Sequence, residues 1–139
     1  MTSEESTTPD LVELVRGQVA ALDRCDVDTV VSFHAPDAVL EAAVGRFEGA
    51  AAIRGFIEDW LANYEGFAAT LEEVRDLGNG VTFGVIRQQG RLVGSSGHDV
   101  QLRHAAVYVW VDGVIARAIT GPDIYEARAA AERLAEERE

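Results

Sequence analysis

Three side chains in this sequence are of a type and placement that could move a proton or hold an anion: Glu41, His34 and Arg103. Glu41 sits in the middle of a short apolar run, Ala38 to Val44, that reads as a strand. Turned inward there, its carboxyl would lose hydration, its pKa would rise, and it would suit proton transfer near neutrality. His34 stands at the expected end of a short helix, where it serves either as a general acid or base or as a histidine facing the negative helix end. Arg103 shares the parity of Val107 and Val109 on a long apolar strand, assigned to the inner face. An arginine on an apolar face must be paired with an acid or face a ligand anion. His104 has the opposite parity and is expected on the outer face. His98 and Asp99 are adjacent on the chain, so in a strand they point to opposite faces. Arg117, on the next strand, can pair with Glu41 or Asp99. Trp60 and Tyr64 serve either as core or as a platform for a ligand.

The elements that must position these groups follow from pattern. The stretch from His98 to Glu126 reads as a strand, an Asp112-Gly113 turn, a return strand and the start of a last helix. Asp-Gly between β-branched runs is a strong hairpin signal. Val107, Val109 and Val111 alternate with Ala106, Tyr108 and Trp110, so both faces are apolar. Such a strand is covered on both sides by its own chain, or on one side by a partner. Gly121-Pro122 ends the return strand, and Asp123 caps the final helix, with Glu126 three residues on.

Upstream, Met1 to Thr7 is polar and is expected to be disordered, a tail of residues 1–8 before a single domain over 9–139. Thr8-Pro9-Asp10 opens a first helix with a stripe of Leu11, Leu14, Val15, Val19 and Leu22. Asp26 caps a second helix. A strand over 38–44 and a return over 45–49 follow. Ile53, Phe56, Ile57, Trp60, Leu61 and Tyr64 form the stripe of a third helix that Gly66 ends. Strands are expected over 68–77 and 81–89 around Gly78-Asn79-Gly80, with a loop over 90–97. In the last helix Arg128 stands four before Glu132 and Arg133 four before Glu137, spacings that make weak surface pairs. Helices set apart from a run of antiparallel strands imply an α+β fold with the helices on one side of the sheet.

Composition narrows the function. The 139-residue chain has a net charge of −12. That disfavours nucleic acid and anionic membranes as partners. All 12 cationic residues are arginine, so no lysine is present to form a Schiff base. The single cysteine, Cys25, excludes an intrachain disulfide and a multi-cysteine metal site. The three histidines show no ligand spacing, and no metal or other cofactor is expected. No leader-like apolar segment and no apolar run of spanning length occurs, so a cytoplasmic protein is expected.

The order of elements, with Asp26-Val27-Asp28, Phe33-His34-Ala35-Pro36-Asp37-Ala38-Val39, Phe47-Glu48-Gly49, Gly94-Ser95-Ser96-Gly97, Val109-Trp110-Val111-Asp112-Gly113 and Asp123-Ile124-Tyr125-Glu126-Ala127, resembles the nuclear transport factor 2-like superfamily. Within it, the chain is most similar to the SnoaL-like domain proteins, over roughly residues 9 to 135. The resemblance implies a curved antiparallel sheet wrapped into a cone closed by helices, and a homodimer through the outer sheet face. His34 would then lie near the cone mouth. The superfamily holds isomerases, epoxide hydrolases, polyketide cyclases, dehydratases and binding domains, so fold alone does not name a reaction. The ketosteroid isomerase base falls on Ala42, its oxyanion tyrosine on Gln18 and its protonated aspartate on Val107. The limonene epoxide hydrolase arginine and aspartates fall near Thr82, Gly84 and Thr120. Neither catalytic set is present.

The expectation is a pocket for a small apolar molecule, lined by Gln18, Trp60, Tyr64, Thr82, Val107, Arg117 and Ile119, with the small Thr82 and Gly84 keeping it open. Two functions compete. One is acid/base catalysis (isomerase, cyclase, hydrolase or dehydratase) through Glu41, His34 and Arg103. The other is a non-catalytic ligand-binding or dimerisation domain. They are told apart by whether those groups converge in one cavity.

Overall fold

The structure is a computed structural model that describes residues 10–95 and 97–138. The expected N-terminal tail, Thr8, Pro9 and Ser96 lie outside the described residues. Four helices and six strands follow in the order α1 (Leu11–Asp23), α2 (Val27–Ser32), β1 (His34–Ala42), β2 (Gly45–Glu48), α3 (Ala50–Leu61), β3 (Tyr64–Gly78), β4 (Val81–Leu92), β5 (Asp99–Val111), β6 (Val114–Gly121) and α4 (Ile124–Glu137). The capping signals at Asp26 and Asp123 act as read, whereas the first helix is capped by Asp10 itself and begins at Leu11. Asp10, Asp26 and Asp123 accept hydrogen bonds from the backbone N–H groups of Glu13, Thr29 and Glu126. Asp112 and Gly113 both take positive φ in the β5–β6 turn.

The strands form one curved sheet in the order β2-β1-β6-β5-β4-β3. It is mixed rather than wholly antiparallel, because β1 pairs with β6 in parallel. That pairing joins residues some eighty positions apart on the chain, which local pattern cannot reveal. His34 opens β1 instead of closing α2, and Tyr64 opens β3 instead of closing α3. β3 runs 15 residues along one edge of the sheet, and its pairing with β4 shifts register in three places.

The concave face carries α1, α2 and α3. Val15, Val19, Leu22, Ile53 and Ile57 from these helices pack with Leu40, Ala69, Ile86, Ala106, Tyr108, Trp110 and Ala118 from the sheet. The convex face carries α4, so the helices are not all on one side. Ala131 and Ala135 lie with Val81, Phe83, Val85, Ala105, Val107 and Val109. The small side chains of Ala131 and Ala135 let the helix approach this valine-rich layer closely, while Tyr108 and Trp110 pack on the opposite face. β5 is therefore covered on both faces by its own chain. The apolar outer surface that suggested a homodimer is occupied by α4. Arg128 does not make its surface pair with Glu132. Its guanidinium lies 4.7 Å from the Phe83 ring centroid and 3.0 Å from Glu73, which clamps α4 to the sheet.

This arrangement inverts the expected parity of β5. His104, Ala106, Tyr108 and Trp110 face the concave side; Val107 faces convex, with Ile119 beside it. Bulges also reset parity along single strands. In β6 the pairing skips at Ala116, so Ile115 and Ala118 both reach the concave core.

The β3–β4 turn is held tightly against β5. Gly80 has φ +81, and a Cβ there would stand 2.8 Å from the Trp110 carbonyl oxygen. Gly80→Ala is expected to lower stability by about 2–3 kcal/mol, from left-handed strain plus displaced backbone. Urea unfolding checks this, and a loss below about 0.5 kcal/mol would contradict so close an approach.

Candidate functional site

A cavity of about 400 Å³ opens at one end of the concave face. Its walls are Ala42, Ala43 and Val44 after β1, Phe56 and Trp60 of α3, Tyr64 of β3, Gln88 of β4, Leu102 to His104 of β5, and Thr120 to Pro122 after β6. The aromatic wall is continuous. Phe56 stacks on Trp60 with centroids 6.4 Å apart, and Trp60 meets Phe67 edge-on at 5.5 Å and His104 edge-on at 5.9 Å. Such contacts orient the rings as well as burying them.

Register explains the polar groups. Ile86 pairs with His104 and Gln88 with Leu102, so Gln88 and His104 are diagonal neighbours on one face. Thr120 pairs with Ala106, which places it diagonally beside His104 from the other flank. Gln88, His104 and Thr120 thus cross three adjacent strands on the concave side. Gln88 Nε2 donates to the Tyr64 hydroxyl at 3.2 Å. Gly90 makes that possible: a side chain there would meet the Tyr64 ring at 3.2 Å. His104 is pushed down to about 4 by burial alone, so its imidazole is neutral at pH 7.

The three proposed proton and anion groups do not converge. Glu41 points to the convex surface, where it meets Arg117 at 3.2 Å and Arg46 at 3.3 Å. It is a bridged surface carboxylate, not a buried one, because Leu40 and Ala42 take the inward positions of β1. Of its two candidate partners, Glu41 and Asp99, Arg117 meets Glu41, away from the cavity. Arg103 borders the cavity, but its guanidinium meets Glu72 at 2.7 Å and is largely exposed. Of its two expected alternatives, the ion pair holds. His34 is buried elsewhere, its Nδ1 3.0 Å from the Val30 carbonyl. That carbonyl only accepts, so Nδ1 carries the proton and Nε2 is bare, with no partner among the described residues. Burial lowers its pKa.

Of the expected lining residues, Trp60 and Tyr64 are in place. Gln18 is buried under α1 and donates to the Tyr108 hydroxyl at 3.1 Å. Burial pushes that phenol's pKa up. Thr82 is on the concave side but fully buried, accepting from Trp110 Nε1 at 2.9 Å. Leu71 closes over Gly84 at 3.5 Å. The indole and leucine fill the space that these small residues were expected to leave open. Val107, Arg117 and Ile119 lie on the convex face, a consequence of the inverted parity. His104, Gln88 and Thr120 were missed as lining residues. The signal that could have found His104 is its shared parity with Tyr108 and Trp110 on β5; Gln88 and Thr120 follow only from the strand register.

Among the described residues, no group of three or more metal-ligating side chains is assembled, and no helix is long and apolar enough to cross a membrane. Comparison with known proteins agrees with the fold. A hypothetical protein from Catenulispora acidiphila with a ketosteroid isomerase-like fold, solved with trimethylamine, superposes with a TM-score of 0.72 at 16% identity, covering 90% of this chain and 94% of that one. A polyketide cyclase-like protein from Sinorhizobium meliloti gives 0.66 at 25% identity, over 81% and 94%. An epoxide hydrolase of the LEH-like type from M. tuberculosis gives 0.64 at 19%, over 86% of each. No curated protein matches the chain. The sequence profile of the SnoaL-like domain matches residues 15–118. With that match over most of its length and this fold, the chain belongs to the SnoaL-like domain family.

Proposed function

We propose that the protein binds an uncharged, mostly apolar small molecule in the cavity beside Trp60. The observation that carries this reading is the lining itself. An aromatic wall is interrupted by four neutral hydrogen-bonding groups, on Tyr64, Gln88, His104 and Thr120, with no carboxylate among them. The volume of about 400 Å³ falls within the range of small-molecule sites. Arg103, the one charged side chain on the lining, is already held by Glu72, so a charged ligand would be desolvated there without a free counter-charge. Binding is favoured over acid/base turnover because Glu41, His34 and Arg103 do not meet. One observation supports turnover as a second reading: the His104 ring has access to the cavity. Turnover of lactones, epoxides or enones that is lost in His104→Leu would establish it.

Binding can be read from Trp60 fluorescence. Trp110, the other tryptophan, is silenced as Trp110→Phe, at a stability cost of about 1–2 kcal/mol. A neutral aromatic ketone such as acetylnaphthalene is expected to quench Trp60 saturably. Phe56→Ala is expected to weaken it roughly tenfold by removing one stacked ring. Linear, unsaturable quenching would remove the proposal.

A further inference from the structure

The cavity specifies the protonation state of its ligand as well as its polarity. Tyr64 already accepts a hydrogen bond from Gln88, so its own O–H is free to donate into the cavity. A neutral imidazole at His104 offers one N–H donor and one bare nitrogen acceptor. Burial is the influence on its titration, with no hydrogen bond or charged neighbour contributing. The charges on the surrounding elements are tied up elsewhere. On β5 and β4, Arg103 and Arg87 hold Glu72. On β3 and β4, Glu65 holds Arg91. On α3, Arg54 holds Asp28 and Glu58, and Asp59 is exposed. On β1, β2 and β6, Glu41 is held by Arg46 and Arg117 on the opposite face. The titratable groups lining the cavity with His104 are thus the Tyr64 phenol and the Arg103 guanidinium, and the latter is already paired with Glu72.

Resting on the reading of this cavity as a ligand site, we infer that it selects the un-ionised form of a weakly acidic hydroxy-carbonyl compound, a phenol or enol bearing a carbonyl. The ligand hydroxyl donates to the His104 ring nitrogen, and its carbonyl accepts from the Tyr64 hydroxyl. The proton stays on the ligand, since its transfer would place two charges against the apolar wall of the cavity. Above the pKa of the ligand the competent fraction falls tenfold for each pH unit, and apparent affinity falls with it.

The test uses the full chain with umbelliferone, a hydroxycoumarin whose absorption distinguishes phenol from phenolate, and herniarin, its methyl ether, which cannot ionise. Titrations run from pH about 6.5 to about 9.5, a range in which the His104 ring, pushed down to about 4 by burial, stays neutral. Umbelliferone affinity is expected to fall tenfold per pH unit above its own pKa, the bound form keeping the phenol spectrum, while herniarin affinity stays flat. His104→Leu is expected to lower umbelliferone affinity roughly tenfold and herniarin affinity less than twofold. The pH profile of the parent chain needs no variant to fold. A bound phenolate spectrum, or umbelliferone affinity that stays flat or rises with pH while herniarin binds, overturns this inference and leaves the ligand site standing. Failure of both coumarins to bind at any pH overturns both.

Discussion

Trp110→Ala is expected to lower the free energy of unfolding by about 3–5 kcal/mol, the largest effect of any single truncation argued for this chain. The indole is only 4% exposed and fills the closed end of the concave face. It lies edge-on to Tyr108, with centroids 5.9 Å apart, and donates to the Thr82 hydroxyl. Truncation removes that packing and leaves a fully buried hydroxyl without its donor, so a cavity term and an unpaired-group term act together. Phe83 and its layer lie across the sheet and cannot relax into the gap, because α4 is clamped by Arg128. Urea unfolding at pH 7 measures the change. Trp60→Ala is the contrast: its ring borders the open cavity, so it is expected to cost well under 3 kcal/mol. Equal losses for the two tryptophans would mean that the Trp60 site is packed shut.

Acidification from pH 7 to pH 4 is expected to remove about 3 kcal/mol of stability through His104 alone. Its folded pKa of about 4 lies below the ordinary value of 6.5. Above pH 6.5 both folded and unfolded chains hold it neutral, and it contributes nothing to the slope. Below that, the unfolded chain takes up a proton that the folded chain refuses, and stability falls until pH reaches the folded pKa. His34 acts in the same direction, since burial lowers its pKa too. Asp26, held down by its hydrogen bonds from Thr29, and Glu73, held down by Arg128 and Arg75, resist until lower pH. Comparing urea midpoints at pH 7 and at pH 4.5 in the parent and in His104→Leu isolates the histidine. An unchanged slope in the variant would show that the ring is solvated.

Features set by neighbours in sequence were legible. The caps at Asp26 and Asp123 and the Asp112-Gly113 turn depend on four residues or fewer, and each forms as read. Of the two partners open to Arg117, Glu41 and Asp99, the structure takes Glu41. The face of β5 was not legible, because valines on one side and aromatics on the other are both apolar and alternation cannot rank them. Only the shapes of the opposing helices decide it: alanine-faced α4 fits valine, and the bulkier α1 to α3 layer leaves room for tyrosine and tryptophan. That single inversion moved Val107 out of the site and His104 into it, and left Arg103 at the border with its guanidinium turned to Glu72. Trp60 and Tyr64 survived because their placement did not rest on β5.

The irregular edge of β3 bears on how this protein behaves in crowded solution. A 15-residue edge strand offers a long row of unpaired backbone groups, the template from which strand addition and fibril growth begin. Here the three register shifts break that row into short pieces, and Glu65, Glu72, Glu73, Arg75 and Asp76 stud it with charge. The opposite edge, β2, is four residues long, too short to seed pairing. With a net charge of −12 adding mutual repulsion, the molecule carries its own protection against end-to-end polymerisation, written into the imperfections of its longest strand.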